Sequence, residues 1–206
     1  MLTFDDQKHE YRYNGAVVPG VTGILSPLID LRFVNHEVLA AAQDFGTAVH
    51  LACELHDQRR LDHATLDPAL SPYLDGWMQF NQDHQCVWNG IEERVYHPTM
   101  RYAGTLDRRG KVDGRGAIVD IKSGTSLFAS VGPQLAAYSQ AIAAQSGRAA
   151  MACADQRFAV RLFPGGYELK QYTSPMDWAV FASLITLRNF CSQHTITPNF
   201  KELSYD

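Results

Sequence analysis

Cysteine is scarce: the chain has four, Cys53, Cys86, Cys153 and Cys191, with no CxxC pair among them, a pattern of reduced thiols rather than a disulfide framework. No apolar run approaches the roughly 20 residues a bilayer requires. The opening stretch MLTFDDQKHE carries acids where a secretory leader would place basic and then apolar residues, so a cytoplasmic protein without a membrane is expected. Positive charge is not in excess either. Lys and Arg number 18 against 22 Asp and Glu, a formal net charge of −4, and no global basic field advertises a nucleic-acid binder. Internal repeats, low-complexity linkers and a G-x-x-x-x-G-K-[ST] loop are all missing, which argues against an array, a linker-joined pair of domains and an autonomous ATPase.

What is present is an ordinary globular mixture, 46% hydrophobic and 19% charged over 206 residues, enough for one domain with a sizeable core. Charge is uneven along it. Residues 91–122 hold seven basic side chains against five acidic ones, the reverse of the whole-chain balance. A locally basic stretch with spaced carboxylates suits a site that must hold both a phosphate and a cation.

Asn14-Gly15 between β-prone residues predicts a hairpin over 11–18, ended by Pro19-Gly20. From about 30 to 60, apolar residues recur at helical spacing, with a kink or break expected at Gly46. A further helix is expected over 72–83. Strands follow at 91–97, 101–109 and 117–122, then a helix over 132–144 and a hairpin at 158–163 and 167–172. Ser174-Pro175-Met176-Asp177 opens a final helix reaching about Cys191. The whole reads as a single α/β or α+β domain, 1–206, with an N-terminal hairpin and helices over 1–90 and a sheet with flanking helices over 91–206.

The informative segment is Gly104-Thr105-Leu106-Asp107 followed by Val119-Asp120-Ile121-Lys122. Alternation puts Asp120 and Lys122 on one side of a strand, and an acid inside the apolar run Ala117–Ile121 demands a cation or donors nearby. With Asp107 brought alongside, two hard oxygen ligands and an ammonium converge, a set that suits Mg²⁺ or Mn²⁺ and its phosphate ligands. The competing reading of a lone D-x-K is a strand-edge ion pair with Asp107 solvated. His50-x-x-Cys53 and Cys191-x-x-His194 have zinc-ligand spacing, but each lies in an apolar helical context where cysteine is an ordinary core residue. Lys122-Ser123-Gly124 is similar to a strand motif of serine penicillin-binding enzymes, but no S-x-x-K accompanies it.

These two motifs, followed by Gln134-Leu135-Ala136-Ala137-Tyr138 and preceded by Gly46-Thr47-Ala48-Val49-His50, resemble the RecB-type branch of the PD-(D/E)xK nuclease superfamily, and the stretch Tyr11–Leu25 is similar to phage-encoded members. The resemblance covers about residues 11–140, with the motifs in the family's order. It implies a restriction-endonuclease-like α/β core, a mixed sheet flanked by helices, with a mainly helical N-terminal part. It implies further that His50, Asp107, Asp120 and the main-chain carbonyl of Ile121 ligate the divalent metal, and that Lys122 positions or activates the hydrolytic water. Gln134 and Tyr138 match the QxxxY motif facing DNA. Family members cut DNA phosphodiester bonds and leave 5′-phosphates. Like phage recombination exonucleases, this chain would trim linear duplex ends in a bacterial cell, beside a single-strand annealing protein. Two departures are plain: aspartate stands at 120 where many relatives have glutamate, and the four-cysteine iron–sulfur spacing of some relatives is missing, so no cluster is expected.

Glu54, one turn after His50, is a candidate to fix its tautomer, and Glu93 a candidate further carboxylate. DNA attraction would rest on a strip formed by Arg101, Arg108, Arg109, Lys111 and Arg115, and binding would weaken steeply with salt. The rival reading is a catalytically silent nucleic-acid-binding or interaction module.

Overall fold

The structure is a computed structural model describing residues 1–29, 34–147 and 156–197. Cys153, and the start of the helix expected from residue 30, lie outside the described residues. Three short strands, β1 (Leu2–Asp5), β2 (Glu10–Tyr13) and β3 (Ala16–Val18), form an antiparallel N-terminal sheet. The β2–β3 turn is the expected Asn-Gly pair, with φ of 50° and 82° at Asn14 and Gly15, the backbone that a tight two-residue hairpin requires. A short helix α1 (Val21–Leu25) and a single 3₁₀ turn lead to α2 (His36–Asp57), capped by the Asn35 side chain accepting from the N–H groups of Glu37 and Val38. α2 is one helix throughout. Gly46 does not break it, because Phe45, Val49 and Cys53 pack the helix against the layer below and outweigh the ~1 kcal/mol propensity cost of one glycine.

α3 (Ser71–Asp83) precedes the main sheet: β4 (Val87–His97), β5 (Tyr102–Val112), β6 (Arg115–Lys122), β7 (Gln156–Phe163) and β8 (Gly166–Gln171), in that spatial order. All neighbours are antiparallel except β6 and β7, which run parallel and are joined through α4 (Val131–Gln145). α5 (Met176–His194) closes the described chain, with Ser174 Oγ accepting from the Met176 N–H. This is an α/β fold: a five-stranded mixed sheet between helices, with the small sheet attached at one side.

Alternation along β6 sorts the core into two layers. Ala117, Val119 and Ile121 face Val49, Cys53, Trp77 and Phe80 of α2 and α3, whereas Ile118 packs with α1, α4 and α5. Asp120 and Lys122 share the parity of Ile118 and lie at its end of the strand. The central strands are apolar because both their faces are covered.

Candidate functional site

A cleft of 660 Å³ opens where α2, the middle of β4 and β5, the end of β6, the start of α4 and the N-terminal sheet meet. α2 contributes Gly46, His50 and Glu54 at successive four-residue steps, one face of one helix. β6 contributes Asp120 and Lys122, and α4 contributes Gln134 and Tyr138, again four apart.

β4 and β5 are both distorted where they enter the cleft. Their ladder runs through Ile91↔Arg108 and Glu93↔Leu106 but omits the Glu92–Asp107 pair between them, and Glu92 has a left-handed φ of 48°. Leu106 packs on the α4 side, yet Arg108 and Val112, of the same parity, lie with Trp77 and the α2–α3 layer. The strand thus turns over at Asp107. Such a local break costs of order 1–3 kcal/mol and re-aims a side chain, here the two opposed carboxylates.

Ligand-bearing atoms of His50, Glu92 and Asp107 all lie within 4.8 Å of one another. His50 Nδ1 is 3.6 Å from Asp107 Oδ2, and that same oxygen accepts the Ile121 N–H at 2.6 Å. Among the described residues this is the group whose chemistry fits a divalent ion: one imidazole and two carboxylates, a mixed N/O set with hard oxygens in the majority. Asp120 is not in it. It is 2% exposed, and its Oδ2 lies 2.7 Å from Lys122 Nζ, because a buried carboxylate takes the cation within reach.

Burial raises the Asp120 carboxyl, with Lys122 opposing and Asp107 reinforcing that shift. For Lys122, burial works to lower the ammonium, but Asp120 and Asp107 outweigh it and hold the group raised. Lys122 is thereby held as a charged donor beside Asp120. Glu92 is pushed up to about 8 by burial, Asp107 adding to the shift and Arg108 working against it. Gln134 Nε2 donates to Tyr138 Oη at 3.2 Å. The glycine of the G-T-L-D motif has its reason here: a Cβ on Gly104 would meet the Tyr138 ring at 2.6 Å, so only glycine lets α4 approach β5 this closely.

Several expectations need correction. Arg108 does not belong to a DNA-facing strip. It is fully buried, its Nε donating to Asp57 Oδ2 at 2.6 Å and its Nη1 to Glu92 Oε1 at 3.1 Å and to the Asp107 carbonyl at 2.7 Å, with the guanidinium 5.5 Å from the Trp77 ring centroid. Arg109 is tied to Glu93 at 2.8 Å, which also removes Glu93 from the cleft group. Lys111 and Arg115 are exposed at the β5–β6 hairpin tip, and Arg101 lies in the β4–β5 turn, so the three sit at opposite ends of β5 with Asp107 between them. Glu54 accepts from Gln58 at 2.8 Å and has no bond to His50, though it lines the cleft. Ile121 donates its N–H to Asp107, a contact separate from the ligand role expected of its carbonyl. The zinc pairs do not assemble: Cys53 is buried among Val49, Leu74 and Trp77 while His50 faces the cleft, and Cys191 lies on α5 against α1. Burial also pushes the Cys53 thiol far up, as expected of an inert core cysteine.

Glu92 is the residue that alternation alone missed. A signal for it exists. The turn at 98–101 pairs His97 with Tyr102, and counting back along both strands from that pair sets Glu92 opposite Asp107.

No protein-family model and no curated protein matches the chain. Among solved structures, the protein SSO0001 is similar over 75% of this chain and 77% of its own, with 13% identity and a TM-score of 0.38. No helix among the described residues is long and apolar enough to cross a membrane.

Proposed function

We propose that this protein is a divalent-metal-dependent DNA nuclease with a PD-(D/E)xK-type core of the RecB branch, acting on linear DNA ends. The observation that carries the reading is the meeting of His50, Glu92 and Asp107 within 4.8 Å, residues distant in sequence, in the cleft that also holds the Asp120–Lys122 pair. His50, Glu92 and Asp107 would hold Mg²⁺ or Mn²⁺, with Asp120 next to them on the same cleft. A bound ion of this kind polarises a phosphoryl oxygen and lowers the pKa of a bound water.

The chain's own groups do the rest. Arg108 bonds to Glu92 and to the Asp107 carbonyl, and Ile121 N–H bonds to Asp107, so both carboxyl groups are held in position before substrate arrives. Lys122, kept as an ammonium by Asp120, donates to a non-bridging phosphate oxygen where negative charge builds. Attack of water on phosphorus breaks the P–O3′ bond: one proton of the water passes to solvent, O3′ takes up a proton and leaves as the 3′-hydroxyl, and the 5′-phosphate remains. Gln134, steadied by the Tyr138 hydroxyl, offers an amide to the strand beside the reacting phosphate.

The test is digestion of end-labelled linear duplex beside a covalently closed circle, with Mg²⁺ and then with EDTA. Loss of the linear form only, abolished by EDTA and by Asp120→Ala, is the expected result. Nicking of the circle makes the enzyme an endonuclease. Metal-independent binding with no cleavage of either DNA overturns the catalytic reading in favour of a binding module.

A further inference from the structure

The cleft that holds His50, Glu92 and Asp107 is also lined by Phe4, His9 and Tyr11 of the N-terminal sheet. Their rings form one aromatic wall. Phe4 is 4.5 Å from Tyr11 and 5.1 Å from His9, which meets it edge-on. The wall is seated firmly on the main sheet, because Tyr11 and Thr105 hydroxyls bond at 2.9 Å and Tyr13 stacks on Tyr96 at 3.9 Å. Phe4 is half-buried and His9 exposed, so both keep ring surface open to the cleft.

Arg94 completes the wall, its guanidinium 5.7 Å from the Phe4 ring centroid. Unlike Arg108 and Arg109 it makes no ion pair among the described residues, and its side chain is exposed. It stands two residues beyond Glu92 on β4, roughly 7 Å along the strand. A free cation one nucleotide's reach from a metal group, beside aromatic rings, combines the two elements that single-strand binders use: charge for phosphate and π-faces for bases. The cleft's 660 Å³ falls within the range of about 300–1,000 Å³ typical of sites that enclose small organic ligands. That is room for an unpaired nucleotide or two. Elsewhere the rim is acidic, with Asp6 and Glu54, which disfavours a phosphate path other than the one past Arg94.

We infer that Phe4, His9 and Arg94 form a subsite for an unpaired nucleotide next to the scissile phosphate, the base lying against the Phe4–His9 rings and the phosphate on Arg94. The cleft then takes DNA as a single strand, either free or frayed from a duplex end. This rests on the nuclease reading and adds the form of the substrate to it.

Binding is measured by fluorescence anisotropy on Asp120→Ala protein in Mg²⁺, with labelled oligothymidylate, the same oligomer built from abasic residues, and a blunt hairpin duplex. The expected order is oligothymidylate tighter than blunt duplex. Phe4→Ala and His9→Ala each weaken oligothymidylate by roughly tenfold, the usual loss for one stacked base, and leave the abasic oligomer unchanged. Arg94→Ala weakens both oligomers and Arg94→Lys restores most of the loss. Tighter binding of the blunt duplex, or equal losses on abasic and thymidylate strands, overturns the inference. If wild-type protein cuts linear duplex while the Phe4 and His9 variants bind as the parent does, only the subsite falls. If the protein neither binds nor cuts any DNA, the nuclease reading falls with it.

Discussion

Glu92 carries two kinds of information. Its carboxyl, pushed up to about 8 mainly by burial, is protonated in the metal-free protein at neutral pH, whereas a carboxylate ligand must be ionised. Metal binding therefore releases close to one proton below about pH 8. The apparent Mg²⁺ affinity should rise by nearly tenfold per pH unit between about pH 6 and 8 and then flatten. Calorimetry in two buffers of different ionisation enthalpy reads the proton directly, and an affinity flat across that window would exclude Glu92 as a ligand. The same shift has an opposite face in folding. An acid whose native pKa is raised binds protons more tightly when folded, so metal-free stability falls as pH rises from the ordinary glutamate range through about 8. Arg108 is the neighbouring case. Truncating it to alanine strands the buried Asp57 carboxylate without its cation, and chemical denaturation should show a loss of ~3–5 kcal/mol. Replacing His50 by alanine, or Asp107 by asparagine, removes a ligand and should lower Mg²⁺-dependent cleavage by roughly a thousandfold, equivalent to several kcal/mol of charge stabilisation. Single-turnover rates at saturating DNA measure it.

Among the elements, those with strong local chemistry were the ones readable from residue order. Asn14-Gly15 fixes one hairpin in advance of any packing, whereas the β5–β6 turn at Asp113-Gly114, with φ of 51° and 74°, is tighter than the link expected between residues 109 and 117. Ser174 marks the start of α5 in the same way. β1 was not foreseen, because four residues that open the chain carry no turn signal of their own. Nor was α1: its five residues are too few to be helical alone, and they owe their form to packing with α4 and α5. At the site, period-two and period-four spacing correctly set Asp120 with Lys122 and Gln134 with Tyr138. It failed for Glu92 and Arg108, since both strands leave regular pairing at that point, and alternation predicts faces only where a strand is regular. Close packing between elements gives a paired test. Gly104→Ala drives a methyl into Tyr138, and Gly76→Ala drives one to 2.4 Å from the Gly166 carbonyl oxygen between α3 and β8. Each should cost ~1–3 kcal/mol in thermal melts. Cleavage should drop only for Gly104→Ala, which displaces the helix bearing Gln134.

For the molecule as a whole, charge placement matters more than charge total. A strip of five basic residues would give a steep salt dependence, but Arg108 is buried, Arg109 is paired, and the remaining three are split between two ends of one strand. With Arg94 and Lys122 as the cations lining the cleft beside His9 and His50, only about two phosphates are neutralised. A plot of log affinity against log salt should then slope near −1.5 to −2, read by anisotropy over a salt series. A slope steeper than about −5 would require a larger basic surface than the described residues display.

The parallel pairing of β6 with β7 has a cost during synthesis. Ala117–Lys122 is an apolar ribbon whose second neighbour, Gln156–Arg161, is translated roughly 30–40 residues later. At a ribosomal pace of about 5–20 residues per second, that ribbon stays open along one edge for roughly 2–8 s, with Ile118 and Ile121 bare on opposite sides. Slower translation lengthens this sticky interval, so a nascent chain of this protein is most prone to clump after Lys122 and before Arg161 have emerged.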